Sequence, residues 1–147
     1  ILKLNDELDK TLDIYLTRHT DTLISISDRT KLAKVLKADL FVSLHCNHSD
    51  NPNARGVEVY VAGATSVYSD DATWLAFQVQ AALNKKFGYE SRGIKFANFQ
   101  VLRETVGFCP SVLLELGFLS NKDEGTYISN ATNIQFAANA ILLSIQN

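Results

Sequence analysis

Two apolar stretches of strand length, each ending in a side chain capable of acid-base or metal chemistry, constrain the fold of this chain most. Residues 110–116 run apolar up to Glu115, and the pattern breaks at Gly117. Residues 40–44 form a second apolar run, which His45 follows. Buried apolar strands are typical of parallel sheets in α/β proteins, which place functional groups beyond the carboxyl ends of their strands. We therefore expect Glu115 and His45 at one edge of a sheet.

Alternating helix and strand patterns predict the rest of the fold. Helices are predicted over 1–12, 27–37, 70–87, 120–129 and 133–145, and strands over 13–18, 40–44, 56–61 and 110–116. The interval 91–103 is ambiguous and predicts only short extended pieces around a loop. The strand at 13–18, the helix at 27–37 and the strand at 40–44 would form a right-handed βαβ unit with a parallel pair. These patterns predict a three-layer α/β fold, with a mostly parallel twisted sheet and helices on both faces.

Composition and charge exclude two classes of partner. The chain has a net charge of -2 and no basic block, so it lacks the positive patch that nucleic acids and anionic membranes select. No apolar run reaches the roughly 20 residues of a membrane-spanning helix. We therefore expect no nucleic-acid partner and no membrane insertion. A chain of 147 residues that is 46% hydrophobic is typical of one domain with its own core.

Three longer motifs occur in order along the chain: SLHCN at 43–47, RGVEVY at 55–60 and PSVLLELGFLSN at 110–121. LTR at 16–18, DR at 28–29 and VLR at 101–103 extend the pattern over nearly the whole chain. This pattern resembles the zinc-dependent N-acetylmuramoyl-L-alanine amidases of the amidase 3 family, which act on bacterial cell walls. That family opens with a strand ending in a Gly-His-Gly zinc-ligand motif and then a ligand glutamate, and residues 1–147 contain neither. The resemblance therefore implies a single catalytic domain that is incomplete at its N-terminus.

The resemblance implies roles for two residues. His45 matches the family's second histidine ligand to zinc. Glu115 matches the catalytic glutamate, which takes a proton from the zinc-bound water and then protonates the leaving amine. On chemistry alone the alternatives are structural: His45 would be a hydrogen-bonded residue at a strand end, and Glu115 a buried partner of an arginine such as Arg103. Because zinc sites use three or four donors, residues 1–147 alone are predicted to hold zinc poorly.

Other polar residues near the motifs receive lesser roles. Glu58 lies in a strand predicted to be half-buried and near a sheet edge, where it either faces solvent or, as the resemblance implies, supports the site. His48 is predicted in a surface loop, with substrate contact as the alternative, and His19 is given no metal role. Four arginines are interpreted either as solvated or as contacts to the acidic peptide stem of peptidoglycan: Arg18, Arg29, Arg55 and Arg103.

Two cysteines leave the redox state of the chain open. Cys46 and Cys109 are interpreted as small buried thiols. A bridge between them is the alternative, because both lie near the ends of strands predicted to be neighbours. Cys46 is expected to point away from His45, because successive side chains alternate along a strand. A cysteine hydrolase that uses Cys46 with His48 is disfavoured, since no third residue that would orient the histidine is apparent.

The function implied by the resemblance is a peptidoglycan hydrolase. It would cleave the amide between N-acetylmuramic acid and L-alanine with a zinc-activated water. The alternative is a catalytically inactive amidase-like domain that binds peptidoglycan or a partner protein. The substrate implies a periplasmic or extracellular location in the cell envelope. We expect a monomer, with a regulatory protein as a further partner.

Overall fold

One mixed sheet organises the computed structural model, which describes residues 1–7 and 12–146 except for the side chains of Lys86 and Phe87. Its four strands are β1 (Phe41–Asn47), β2 (Val57–Ala62), β3 (Ser91–Ala97) and β4 (Ser111–Phe118), in the spatial order β1-β4-β2-β3. β1 is parallel to β4 and β2 is parallel to β3, whereas β2 and β4 are antiparallel. Two of the three neighbouring pairs are therefore parallel, which confirms the predicted mostly parallel sheet.

Helices cover both faces of the sheet. They are α1 (Leu2–Asn5), α2 (Ile26–Val35), α3 (Ser69–Phe87), α4 (Gln100–Thr105), α5 (Lys122–Ser129) and α6 (Ala131–Gln146). Residues of α3 and α6 form one core cluster with Val59 and Leu114 of the sheet. Ala33 of α2 and Leu102 of α4 form a second cluster with Leu113 on the opposite face. The predicted three-layer α/β architecture is confirmed. Among the described helices, none is long and apolar enough to cross a membrane.

Local signals fix the ends of three helices. Asn121 caps α5, since its side chain accepts a hydrogen bond from the backbone N–H of Glu124. Gly88 ends α3 in the left-handed conformation, with φ 70°. Ser25 caps α2, since its side chain accepts a hydrogen bond from the backbone N–H of Asp28. The helix therefore begins one residue before the predicted Ser27 start.

The beginning of the chain differs from the prediction. The predicted helix over 1–12 is much shorter, because α1 ends at Asn5, and residues 8–11 of that prediction lie outside the described part of the chain. The Asn5 side chain instead bonds the backbone N–H and C=O of Leu12, both at 2.9 Å. The predicted strand at 13–18 is wrong, since a strand needs a hydrogen-bonded neighbour and none of the described strands pairs with it. The expected βαβ unit is absent from the described residues, and β1 pairs with β4 instead.

The interval 91–103, which predicted only short extended pieces, contains a strand and a helix. β3 spans Ser91–Ala97 and pairs with β2. α4 spans only Gln100–Thr105, which is too short for a helical repeat to show clearly in the sequence. Because β3 covers one side of β2 and β4 covers the other, β2 lies inside the sheet.

Candidate active site

His45, Glu115 and Glu58 lie in one row across the sheet, near the carboxyl ends of β1 and β4. His45 is the Cα partner of Glu115 in the parallel pair, and Glu115 is the partner of Glu58 in the antiparallel pair. Directly opposed residues of neighbouring strands share a face of the sheet. Phe41 and Leu113, at even offsets from His45 and Glu115, pack in the core beneath α2 and α4. The row therefore continues this same face, at the rim where the sequence predicted His45 and Glu115.

Glu115 is a half-buried carboxyl with one unused oxygen. Within the described part of the chain its buried Oε2 makes no hydrogen bond. Burial, and then the negative charge of Glu58, raises the pKa of Glu115 to about 7. The alternative of an ion pair with Arg103 is not seen, because Arg103 donates to the backbone and side-chain oxygens of Asn98 at 2.9 and 3.0 Å. A carboxyl that titrates near neutrality and has a free acceptor can exchange a proton with a bound molecule.

Glu58 is a buried carboxylate surrounded by hydrogen-bond donors. Its Oε1 accepts from Arg92 Nε and Lys95 Nζ, both at 2.6 Å. Its Oε2 accepts from Tyr60 Oη at 2.6 Å and Asn47 Nδ2 at 3.2 Å. Burial opposes ionisation, but hydrogen bonds from Lys95, Tyr60 and Arg92 hold the pKa of this carboxyl below its usual value. Glu58 is therefore a fixed negative charge next to a carboxyl that titrates.

This environment corrects the expectation that Glu58 lies on a half-buried strand near a sheet edge. The residue is only 2% exposed, and β2 is an interior strand. A buried charge requires nearby compensation, and Arg92 and Lys95 of β3 provide it. Neither cation could be expected from the sequence, because the interval 91–103 predicts only short extended pieces and no strand beside β2. The sequence signal that could have indicated them is the pair of cations, Arg92 and Lys95, in a short segment that also contains apolar residues.

His45 is exposed at the carboxyl end of β1. Its Nε2 lies 3.0 Å from Ser43 Oγ, and the tautomer decides which of the two atoms donates. Partial burial, and then the positive charge of Arg29, lowers the pKa of His45. Both effects favour the neutral imidazole, which is the form that binds metal ions.

The donors in the described residues do not fit a complete zinc site. Over residues 1–7 and 12–146, no three His, Cys, Asp or Glu side chains converge into a metal-binding group. His45 supplies one imidazole, and His48 is exposed in the loop that follows β1. Zinc sites use three or four such donors, so a metal at His45 would need further ligands from elsewhere.

Cys46 and Cys109 are both free thiols. Cys46 lies near the carboxyl end of β1, and Cys109 comes just before the amino end of β4. Since these strands are parallel, the two thiols lie at opposite ends of the sheet, which excludes the bridge considered from sequence. Cys109 is buried as expected, but Cys46 is exposed. The thiol is nevertheless partly covered, and this partial burial, followed by the charge of Glu115, raises the pKa of Cys46, so the environment disfavours a nucleophilic thiolate.

Comparisons with known proteins give a consistent result. Residues 1–147 match the amidase 3 family, described as N-acetylmuramoyl-L-alanine amidase. The chain is 35% identical over 146 residues to a Staphylococcus epidermidis protein named "Probable cell wall amidase LytH", covering 96% of this chain and 46% of that protein. This chain therefore spans about half the length of the curated relatives that it matches.

Solved structures share the fold. The structure of an N-acetylmuramoyl-L-alanine amidase from Clostridium difficile 630 superimposes with a TM-score of 0.85 at 35% identity, covering 98% of this chain and 76% of that one. The catalytic domain of CwlV, an amidase from Bacillus (Paenibacillus) polymyxa var. colistinus, gives a TM-score of 0.84 at 31% identity, covering 97% and 75%. The row of His45, Glu115 and Glu58 thus belongs to a fold that known cell-wall amidases share.

Proposed function

This chain belongs to the N-acetylmuramoyl-L-alanine amidase family, and we propose that it forms most of the catalytic domain of a peptidoglycan hydrolase. The reaction is hydrolysis of the amide between the lactyl group of N-acetylmuramic acid and L-alanine. The observation that carries this proposal is the half-buried Glu115, which is the Cα partner of both His45 and Glu58 and whose buried Oε2 has no partner in the described residues. We also propose that residues 1–147 all belong to one domain.

Glu115 is proposed as the general base and then the general acid. Hydrolysis of an amide requires a water to lose a proton as it attacks the carbonyl, and the amine to gain a proton as it leaves. A carboxyl with a pKa of about 7 has both forms available near neutral pH. Its Oε2 has no partner in the described residues to compete for the proton. Glu115 can therefore accept the first proton and deliver the second.

His45 is proposed as one zinc ligand of the whole protein. The support is the family resemblance, the exposed position at the strand end and the neutral imidazole that its surroundings favour. Because the described residues do not fit a complete site, this proposal requires further donors outside them. A variant at His45 can test it through metal content alone.

Cations on both sides of Glu115 favour an acidic substrate. Lys95 and Arg92 share the single negative charge of Glu58, which leaves one positive charge in excess on that side. On the other side, the charge of Arg29 acts on His45. We propose that the carboxylates of the peptide stem bind near Lys95. Two of the other arginines considered from sequence form surface pairs, Arg18 with Asp21 and Arg55 with Glu90.

The experiment that tests this function measures turnover of purified cell wall by the whole protein and by Glu115→Gln. We expect Glu115→Gln to lose about 10²- to 10⁴-fold in turnover, the usual contribution of a positioned acid-base group, while it still binds the wall. Glu104→Gln, at an exposed glutamate of α4, is the matched control and should retain turnover. A parent protein that binds the wall and cuts nothing would instead support a binding domain.

The substrate also sets the proposed location and partners. An enzyme acting on peptidoglycan works in the cell envelope, on the periplasmic or extracellular side of the membrane. We propose a monomer as the working state, with a regulatory protein as a further partner.

A further inference from the structure

Glu124, the third residue of α5, is a buried carboxylate that binds the backbone on two sides of the site. It is 5% exposed. Its Oε1 accepts the backbone N–H of Gly56 at 2.7 Å, and its Oε2 accepts the backbone N–H of Phe118, also at 2.7 Å. Gly56 lies two residues before Glu58, and Phe118 lies three residues after Glu115. One side chain therefore joins the start of β2 to the end of β4, beside the Glu58–Glu115 pair.

The backbone at both contacts is shaped by glycine. Gly117 has φ +141°, and a Cβ at this position would lie 2.9 Å from Glu124 Cδ. Gly56 has φ +106°, and a Cβ there would lie 2.8 Å from the carbonyl oxygen of Glu90. Both φ values fall in a region that side-chain-bearing residues rarely adopt. The missing Cβ of Gly117 lets the Glu124 carboxylate lie directly against the strand that carries Glu115.

The turn that carries Glu124 is itself tied to the loop between β1 and β2. Asn121 Oδ1 accepts the backbone N–H of Glu124 at 3.0 Å, and Asn121 Nδ2 donates to the carbonyl oxygen of Pro52 at 3.1 Å. Ser120 Oγ accepts the backbone N–H of Ser49 at 2.9 Å. The β1–β2 loop therefore fixes the position of the first turn of α5, and Glu124 in that turn binds the backbone beside β2 and in β4.

We propose that Glu124 is a positioning residue: its two backbone hydrogen bonds fix the offset between β2 and β4 that sets Glu115 opposite Glu58. The inference rests on the proposed function, since it concerns the placement of the proposed acid-base group. Hydrogen bonds to an ionised acceptor are about twice as strong as neutral ones. In enzymes, a displacement of about 1 Å can cost roughly 10²-fold in rate. Glu124 acts through the backbone and does not need to touch the substrate.

A double-mutant cycle in the whole protein tests this role. Glu124→Gln keeps the shape of the side chain but replaces one acceptor oxygen with an amide donor, so one backbone N–H loses its partner. We expect kcat to fall by about ten-fold or more with KM changed less than about two-fold, because the loss is in the chemical step and not in binding. In the Glu115→Gln background, Glu124→Gln should cause no further loss, since the two residues act as a unit.

Two further variants separate positioning from general destabilisation. Ile141→Val trims a buried α6 residue that lies in the core, and it should lower thermal stability without changing kcat. Glu124→Asp keeps the charge but shortens the side chain, so it cannot reach both N–H groups and should lose kcat in the same direction. It serves as the second variant if Glu124→Gln does not fold.

Several outcomes would overturn the proposal. It fails if folded Glu124→Gln has a kcat within about two-fold of the parent, or if its loss multiplies that of Glu115→Gln. It also fails if neither Glu124 variant folds, because the residue is then purely structural. A parent that cleaves no amide removes the proposed function itself. An active parent, an inactive Glu115→Gln and a fully active Glu124→Gln remove the positioning role alone.

Discussion

Glu58 and Glu115 are Cα partners across β2 and β4, so two carboxyls lie side by side on one face of the sheet. Glu58 is bound by Lys95 and Arg92, whereas the described residues provide no ion pair for Glu115. The two side chains are chemically identical, but the pKa of Glu58 lies below the ordinary value for glutamate and that of Glu115 lies above it. Acid-base sites commonly contain two neighbouring carboxyls whose surroundings push their pKa values apart. Here Glu58 is held in its ionised form, and Glu115 is the group that we propose exchanges protons.

The ion pairs of Glu58 should make stability depend on pH. The folded-state pKa of Glu58 lies below the ordinary value of 4.5, so its contribution is present above pH 4.5 and is lost as the pH falls through the folded value. At neutral pH, Glu58→Gln should lower the free energy of unfolding by about 1–3 kcal/mol. This is less than for a fully buried pair, because both cations are partly exposed. Urea unfolding measures the change.

The control for this prediction is Glu90→Gln. Glu90 forms a surface pair with Arg55 at 3.2 Å, in which both side chains are 55% exposed. Such pairs contribute little, so Glu90→Gln should change the unfolding free energy by less than about 1 kcal/mol. Equal effects of Glu58→Gln and Glu90→Gln at neutral pH would contradict the buried network. So would a Glu58→Gln effect that persists at a pH well below the folded-state pKa.

Much of the site could be predicted from local sequence. The apolar runs before His45 and Glu115 identify their strands directly, and parallel strands bring their carboxyl ends to the same rim. The compensation of Glu58 could not be predicted in this way. Lys95 lies 37 residues away along the chain, and it becomes a neighbour only through the pairing of β2 with β3. Sheet order is non-local, and short patterns do not encode it.

The failed strand prediction at 13–18 has the same non-local cause, whereas the missed helix α4 has a local one. The residues at 13–18 have the composition of a strand, but no described strand pairs with them. Residue composition gives a segment its tendency to be extended, but only pairing with a neighbouring strand supplies the hydrogen bonds of a β-strand. α4 (Gln100–Thr105) was missed because six residues give less than two helical turns. The long helix α3 (Ser69–Phe87) was predicted to within one residue at each end, because its periodic pattern and the Gly88 stop signal agree.

Gly117→Ala should destabilise the chain strongly. The new Cβ would lie 2.9 Å from Glu124 Cδ, and the φ of +141° is strained for alanine. Strain and overpacking each cost about 1–3 kcal/mol, so we expect a loss of at least about 2 kcal/mol in unfolding free energy. Gly107→Ala is the matched control, because nothing lies within 4 Å of a Cβ built there. Equal urea midpoints for the two variants would contradict the packing of Glu124 against Gly117.

Lys95→Gln should weaken binding of acidic substrates. Removing one of the two cations on Glu58 removes the excess positive charge beside Glu115. For a wall fragment with a free carboxylate in its peptide stem, KM should rise roughly five-fold, equivalent to about 1 kcal/mol. An otherwise identical fragment with that carboxylate amidated should show little change. Lys31→Gln, at an exposed lysine that pairs with Asp28, is the control, and an equal rise for both fragments would contradict the proposed contact.

His45→Ala should lower the zinc content of the whole protein. If His45 is one of the three or four ligands that zinc sites use, its loss should leave well under one zinc per chain after dialysis. His48→Ala should retain the parent content, because His48 lies exposed in the loop beyond β1. Elemental analysis gives both values. Equal zinc content in His45→Ala and the parent would show that His45 is not a ligand.

The proposed amidase activity is tested most directly by identifying the bond that is cut. Purified peptidoglycan is digested with the whole protein and, separately, with Glu115→Gln, and the soluble products are analysed by mass spectrometry after amine labelling. If the chain is an amidase that uses Glu115, new L-alanine amino groups appear together with peptide-free N-acetylmuramic acid, and their release falls at least about 10²-fold in Glu115→Gln. Release of products cut within the glycan or the peptide stem, or equal release by both proteins, would show that this activity or this role of Glu115 is wrong.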